Sequence, residues 1–225
     1  MKKLFALFLL ALFGTAVVRA EASRADLIDR VETCEAILQE FQSRPDTAIP
    51  PAVLQKARAL IIVNQFKAGF LLGVKEGFGV ILVKKPGGRW SVPVLINAGE
   101  ASLGLQIGAN AIETIYVITD ENTPRLLFNH RFNVGVDAIA IAGPKAAETE
   151  RYNAEILQTP MLVYRKVAGL YAGATVMAGH LSRNDRYNAL LYNTRYTMPE
   201  LLYSDWVTPP PEVQPLMALV QRLAP

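Results

Sequence analysis

Short apolar segments separated by glycine dominate the middle of this chain. Five of them are rich in β-branched residues and run for only six to nine residues, which is typical of strands. They occupy residues 59–64, 77–84, 89–96, 101–109 and 113–119. Glycines recur within and between them, and glycine inside a strand marks a bend, a bulge or a close backbone contact. The pattern predicts a strongly curved sheet or partial barrel.

The sequence also predicts a turn between two of these segments and further short elements beyond them. The run Lys85-Pro86-Gly87-Gly88-Arg89 predicts a hairpin turn, because proline and glycine supply the backbone angles that turns need. Strands are also expected at 132–142 and, as a small-residue pair, at 168–180. Short helices are expected at 50–58, 124–130 and 185–192.

Longer amphipathic helices are predicted at both ends of the chain. Residues 23–41 carry an apolar stripe at helical spacing, and Ser23 with Asp26 forms a capping box. The opposite face is mainly acidic, the wrong sign for a helix lying on anionic lipid, so we expect it to pack on the domain. A second helix is expected at 212–223. The predicted fold class is therefore α+β: a curved, glycine-rich, mainly antiparallel sheet (partial barrel) with helices packed at the N- and C-terminal ends.

The first twenty residues have the pattern of a secretory signal peptide. Lys2 and Lys3 precede an apolar run at 4–13, and Val18-Arg19-Ala20 places small residues at −3 and −1 of a cleavage site. At ~1.5 Å per residue this run is too short to span a bilayer. An uncleaved membrane anchor is the alternative. We expect a mature chain that begins at Glu21 and is periplasmic or secreted.

The predicted signal peptide also accounts for the excess of basic over acidic residues in the chain. Of the 23 Lys and Arg residues, Lys2, Lys3 and Arg19 lie in it, so the mature chain has 20 basic and 20 acidic residues. A non-specific nucleic-acid binder needs a basic field that collects phosphates. Nucleic acid is therefore not an expected partner, although a local basic patch remains possible.

Residues that could support catalysis or metal binding are sparse. Cys34 is the one cysteine of the chain, and neither His130 nor His180 has a second histidine at helical spacing. Ser102, within Glu100-Ala101-Ser102-Leu103-Gly104, lacks the first glycine of a nucleophile elbow, and only an unsupported choice of His180 and Asp137 would complete a triad. We expect no catalytic residue, no metal and no cofactor, and the protein is not expected to be an enzyme.

One cluster combines cations with an aromatic residue. Lys84, Lys85 and Arg89 flank the predicted turn next to Trp90. Each cation near an anionic surface contributes roughly 1 kcal/mol, and tryptophan suits the membrane interface. Lipid-binding residues are therefore predicted to be Lys67, Lys75, Lys84, Lys85, Arg89 and Trp90, with the two first lysines in neighbouring loops. The alternative is a solvated hairpin with Trp90 turned into the core.

From about residue 53 to residue 193 the chain resembles the SYLF domain family. The resemblance rests on several short motifs in order along the chain, each weak alone. They are residues 56–62, 66–72, 77–80, 88–93, 104–109, 142–144, 166–173 and 184–188. The resemblance implies phospholipid binding without enzymatic activity, and in eukaryotic members also actin binding. An export signal makes actin an unlikely partner here, so the anionic phospholipids of an envelope membrane are the expected ligand.

The expected organisation follows from these observations. It comprises a signal peptide at 1–20, an N-terminal amphipathic helix at 21–49, a SYLF-like domain at 50–195 and a C-terminal helical extension at 196–225. The expected function is that of an exported phospholipid-binding protein, peripherally associated with a membrane. The alternative is an envelope adaptor or structural protein that binds a protein or peptide partner.

Overall fold

The structure is a computed structural model. It describes residues 21–68, 72–103, 110–128, 131–145, 154–167, 170–171 and 179–225. The predicted signal peptide and most of the strand pair predicted at 168–180 lie outside the described residues. Within the described part of the chain, no helix is long and apolar enough to cross a membrane.

Among the described residues, one sheet forms the centre of the molecule, and its strand pairs are antiparallel except for one parallel pair. Its strands are β1 Ala59–Ala68, β2 Leu72–Val83, β3 Val94–Leu103, β4 Asn110–Ile118, β5 Phe132–Asn133, β6 Ala140–Ala142, β7 Met161–Val167, β8 Leu170–Tyr171 and β9 His180–Arg183. Eight of them are ordered β5-β9-β3-β2-β1-β4-β7-β6, and β8 pairs with β7 off this path. The parallel pair is β6 with β7.

The sheet curls into a half-barrel, and its connectivity shows why it must. Strands β5 and β6 lie at opposite ends of the strand order but are joined by residues 134–139 alone. Eight strands in a flat sheet would place these edges about 34 Å apart, whereas the connection reaches at most about 25 Å. The two edges must therefore approach each other, as the predicted partial barrel requires.

Two glycines in β2 show how the backbone accommodates this curvature. Gly77 and Gly79 face Gln65 and Val63 of β1 in the strand register. A Cβ atom on Gly77 would collide with the carbonyl oxygen of Asn64, and one on Gly79 with that of Ile62. Close backbone approach at these glycines, as predicted, is confirmed.

Helices flank the sheet, and the longest of those described lie toward the two ends of the chain. The described helices are α1 Arg24–Gln42, α2 Pro51–Lys56, α3 Thr123–Leu126, α4 Ala154–Gln158, α5 Asp185–Tyr192, α6 Met198–Tyr203 and α7 Gln214–Leu223, preceded by a 3₁₀ turn at Pro211–Val213. The Ser23–Asp26 capping box of α1 is confirmed. The apolar stripe of α1 is buried, including Leu27, Val31 and Cys34, so this helix packs on the domain through the face that its spacing predicts.

The buried ammonium of Lys166, on β7, reinforces the packing of α1. Its Nζ lies 2.5 Å from Oε1 of Glu40 on the helix and 3.0 Å from Oε2 of Glu113 on β4. Burial alone lowers the pKa of Lys166, but the hydrogen bonds and charges of both glutamates outweigh it and leave that pKa raised. The ion pairs therefore keep this buried lysine charged.

Several sequence predictions need correction in detail. The segment predicted at 89–96 becomes a strand only at Val94, where β3 begins. Strand β3 continues to Leu103 and includes the start of the segment predicted at 101–109, of which residues 104–109 lie outside the described residues. The strand predicted at 132–142 is two short strands, β5 and β6, with a turn between them. The sequence analysis missed β7 and α4 altogether, and it did not distinguish α6 within the helical extension expected at 196–225. The signals for α6 were Thr197 and Glu200, which form a second capping box.

Candidate functional site

The β2–β3 hairpin is where the sequence analysis placed the lipid-binding cations. The Lys85 N–H donates to the Arg89 carbonyl at 2.7 Å, and the Gly88 N–H donates to the Lys85 carbonyl at 3.0 Å. Gly87 and Gly88 have φ of 91° and 83°, a conformation that favours glycine. The predicted turn is confirmed, and it brings Lys85 and Arg89 together on one side of the molecule.

The cations of this hairpin contact the C-terminal part of the chain. Lys85 Nζ lies 2.5 Å from Asp205 Oδ1 and donates to the Ser204 carbonyl at 2.9 Å. Arg89 Nη2 lies 2.7 Å from Asp205 Oδ2, and Lys84 Nζ contacts the Pro225 oxygen. The Lys85 side chain is 10% exposed and that of Arg89 is 72% exposed. Arg89 is thus the hairpin cation most open to an external anion.

The surroundings of Asp205 and Lys84 also shift their pKa values. Hydrogen bonding and charge from Lys85, followed by those from Arg89, lower the pKa of Asp205. Burial, followed by the charge of Arg58, lowers the pKa of Lys84. Asp205 therefore stays ionised as an internal counter-ion of the hairpin.

Trp90 does not lie on the surface of this hairpin. Its side chain is only 4% exposed, and its Nε1–H donates to the Ala224 carbonyl at 2.8 Å. A buried indole is stable when its N–H has a partner, and the C-terminal helix supplies that partner. The structure thus favours the alternative of a tryptophan turned into the core, and in this position Trp90 cannot reach a membrane interface.

Lys67 and Lys75 lie in strands and not in loops next to the hairpin. They face each other in the register of β1 and β2. Lys75 precedes Lys84 by nine residues along an extended strand, which corresponds to about 30 Å. The structure therefore divides the six predicted residues into two groups near opposite ends of β2.

A groove lies between the hairpin and the C-terminal helices. Its volume is about 460 Å³. Charged residues come from the hairpin and from Asp205, and apolar side chains form much of the remaining wall. The lining residues are Lys85, Arg89, Trp90, Val92, Leu201, Ser204, Asp205, Val207, Thr208, Pro209, Met217, Ala218 and Gln221. The groove therefore offers cations and apolar surface side by side.

The sequence analysis overlooked a second tryptophan beside this groove. Trp206 directly follows Asp205 and is 63% exposed. The centroid of its ring lies 5.3 Å from that of the Tyr196 ring. Trp206 lies between α6 and the 3₁₀ turn, in a segment with no helical or strand periodicity. This lack of an amphipathic pattern is the sequence signal that could have revealed an exposed tryptophan, because nothing in the segment predicts that its side chain is buried.

The residues considered for a hydrolase triad have other partners. His180 Nδ1 lies 3.1 Å from Arg131 Nη2, and burial, followed by the charge of Arg131, lowers the pKa of His180. Asp137 Oδ2 accepts the backbone N–H of Asn133 at 2.6 Å. The Ser102 side chain lies outside the description. These contacts give each of His180 and Asp137 a local structural role.

The curled sheet, its flanking helices and the groove define a SYLF-type domain. A family model described as Ysc84, Las17-binding protein actin regulator, matches residues 99–223. This chain therefore belongs to the Ysc84 family, which confirms the SYLF resemblance. The match continues through the C-terminal helices that line the groove.

Relatives in this family carry the domain within longer proteins. An SH3 domain-containing YSC84-like protein 1 from Xenopus laevis is 30% identical over 162 residues, covering 69% of this chain and 48% of that protein. LAS seventeen-binding protein 3 from Saccharomyces cerevisiae is 28% identical over 182 residues, covering 80% and 39%. The chain thus spans about half or less of these relatives. The name of the yeast relative describes a binding protein, and neither name states a catalytic activity.

Proposed function

We propose that this protein is an exported, non-enzymatic phospholipid-binding protein that acts peripherally at an envelope membrane. The observation that carries the proposal is the groove, where the Lys85 and Arg89 cations lie beside the apolar side chains of Val207 and Met217. A phospholipid presents the same two chemistries, a phosphate next to an apolar tail. The groove is the place in the described structure where both are available together.

Local charge supports an anionic ligand even though the mature chain is expected to be neutral. Among the groove-lining residues, two cations face one carboxylate, that of Asp205, which leaves one positive charge in excess. Arg89 is mostly exposed, and its guanidinium can donate two parallel hydrogen bonds to a phosphate. The SYLF resemblance independently implies phospholipid binding.

The second candidate is an envelope adaptor that binds a protein or peptide. It is favoured by the names of the relatives, one of which is a LAS seventeen-binding protein. Trp206 and the run Pro209-Pro210-Pro211 would supply an aromatic and proline-rich surface for such a partner. Vesicle binding distinguishes the two candidates, because an adaptor needs no lipid.

Flotation of the full, exported protein with vesicles tests the lipid proposal. Vesicles of zwitterionic lipid alone and vesicles containing anionic lipid are compared at low and physiological salt. We expect binding to the anionic vesicles, and Arg89→Gln should weaken it about fivefold at low salt, as the loss of about 1 kcal/mol requires. The loss should shrink with added salt, since the Debye length at physiological ionic strength is about 8 Å.

Arg44→Gln is the matched control for this experiment. Arg44 is also an exposed arginine, and its Nη2 lies 2.8 Å from Asp46 Oδ2 in an ion pair of the same kind. It lies far from the groove-lining residues in sequence and should not affect vesicle binding. If the parent protein does not float with anionic vesicles, phospholipid binding is excluded and the adaptor becomes the better proposal.

A further inference from the structure

Trp206 is a large apolar side chain that the fold leaves in water. The chain holds only two tryptophans, and the other one, Trp90, is buried with its N–H paired. A single exposed apolar residue needs no special explanation. The position of Trp206 next to the cationic groove is what makes its exposure informative.

The loop that carries Trp206 is fixed by hydrogen bonds from two sides. The Ser204 hydroxyl donates to the Glu200 carbonyl at 2.5 Å, and the Trp206 N–H donates to that same hydroxyl at 3.3 Å. From the hairpin, Lys85 Nζ holds both the Ser204 carbonyl and the Asp205 carboxylate. The loop therefore presents the indole from an ordered backbone, at little further cost in conformational entropy on binding.

The exposed guanidinium of Arg89 lies close to the backbone of Trp206. It contacts the carboxylate of Asp205, the residue directly before Trp206. Since consecutive Cα atoms are about 3.8 Å apart, the cation lies on the order of 10 Å from the backbone of Trp206. Interfacial tryptophan beside basic residues is the combination that favours an anionic bilayer surface.

We infer that Trp206 inserts at the headgroup level of an anionic bilayer and anchors the groove face to it, with Arg89 contacting the lipid phosphates. The inference rests on the proposed lipid-binding function and names the side chain that makes the contact. Charge complementarity decides for a bilayer, because Trp206 lies in the chain between Asp205 and Val207, which line a groove whose two cations outnumber its one carboxylate. A protein partner at this face is the competing outcome of the test.

Tryptophan fluorescence tests this inference directly. The full exported protein is titrated with zwitterionic vesicles and with anionic vesicles, each with and without lipids brominated near the headgroup end of the acyl chains. With anionic vesicles we expect a blue shift of the emission and quenching by the brominated lipid. Trp206→Phe should abolish both responses, and the unchanged emission of buried Trp90 then reports that the fold is intact.

A second variant measures affinity. Trp206→Ser should weaken binding to anionic vesicles about tenfold in flotation, whereas Leu190→Ser, which removes another exposed apolar side chain, should leave it unchanged. If vesicles bind but Trp206 is not quenched and Trp206→Ser binds like the parent, the inference is overturned and the lipid function stands. If no vesicle binds, both are overturned. Fluorescence that responds to a protein ligand instead would assign this face to the adaptor function.

Discussion

Asp205 is the residue that controls how available the hairpin cations are. Its carboxylate binds Lys85 and Arg89 at once, with distances of 2.5 and 2.7 Å. An anionic headgroup must therefore compete with a carboxylate that is already in place. For the proposed lipid binding, this arrangement would favour anionic over neutral ligands, because a neutral ligand gains nothing from displacing Asp205.

The first prediction at the residue scale is that Asp205→Asn strengthens anionic binding. The amide removes the competing charge while keeping the size of the side chain, so the exposed Arg89 becomes free to contact phosphate, whereas Lys85 keeps its hydrogen bond to the Ser204 carbonyl. We expect an affinity for anionic vesicles about three- to tenfold higher at low salt, measured by flotation. The gain should decrease as salt screens the interaction.

Asp46→Asn provides the control for this substitution. Asp46 is an exposed carboxylate paired with Arg44, so its replacement changes the net charge by the same amount. An equal gain from both variants would mean that net charge alone sets the affinity. In that case Asp205 would have no particular role as a counter-ion.

The two tryptophans show how far residue-level prediction reaches. Sequence adjacency placed Trp90 with Lys84, Lys85 and Arg89, and the hairpin turn formed as predicted because turn chemistry is local. The environment of each indole is not local. Trp90 is buried by the Ala224 region, more than a hundred residues away, whereas Trp206 is left exposed.

Among the secondary-structure elements, α5 is joined to the sheet by hydrogen bonds of its buried Asn188 side chain. Asn188 Oδ1 accepts the Leu95 N–H at 2.7 Å, and its Nδ2 donates to the Leu95 carbonyl at 2.9 Å. The amide thus pairs with the backbone of β3 as another strand would. This explains why the 184–188 motif carries part of the resemblance without contributing to the groove.

At this scale we predict that Asn188→Ala destabilises the domain. The substitution leaves the N–H and the carbonyl of Leu95 buried without their partner, and each unsatisfied group costs about 1–3 kcal/mol. For the two groups together, the free energy of unfolding measured by urea denaturation should fall by about 2–6 kcal/mol. Leu190→Ala, on the exposed side of the same helix, should change it by less than about 0.5 kcal/mol.

Destabilisation of that size by Leu190→Ala would mean that truncation anywhere on α5 weakens the domain, and the Asn188–Leu95 pairing would then have no particular role. Helix propensity cannot cause such a loss, because Ala is the best helix former. Elements with local signals, such as α1 with its capping box and apolar stripe, were predicted closely. Strand β7 was missed because its pairing with β4 and β6 comes from distant parts of the chain. The same holds for the C-terminal helices, whose role as a wall of the groove depends on tertiary packing.

For the whole molecule, the main consequence of the fold is that it brings the C-terminal segment back to the β2–β3 hairpin. The half-barrel fixes β2 and β3, and the C-terminal segment returns to cover Trp90 and to supply Asp205. The proposed membrane face is therefore assembled from residues that are more than a hundred positions apart. A fragment that ends near residue 195 would lack both Asp205 and Trp206.

The last prediction concerns export and its effect on charge. If residues 1–20 are a signal peptide, intact-mass measurement of protein from the periplasmic or secreted fraction should give a chain that begins at Glu21. This mature chain would have no net charge, since Lys2, Lys3 and Arg19 are removed. The salt dependence of its binding to anionic vesicles should then come from the few groove cations alone. Arg89→Gln should therefore abolish most of that salt dependence. Retention of residues 1–20 in a membrane fraction would contradict export as a mature protein, and vesicle binding would then have to be measured on the anchored form.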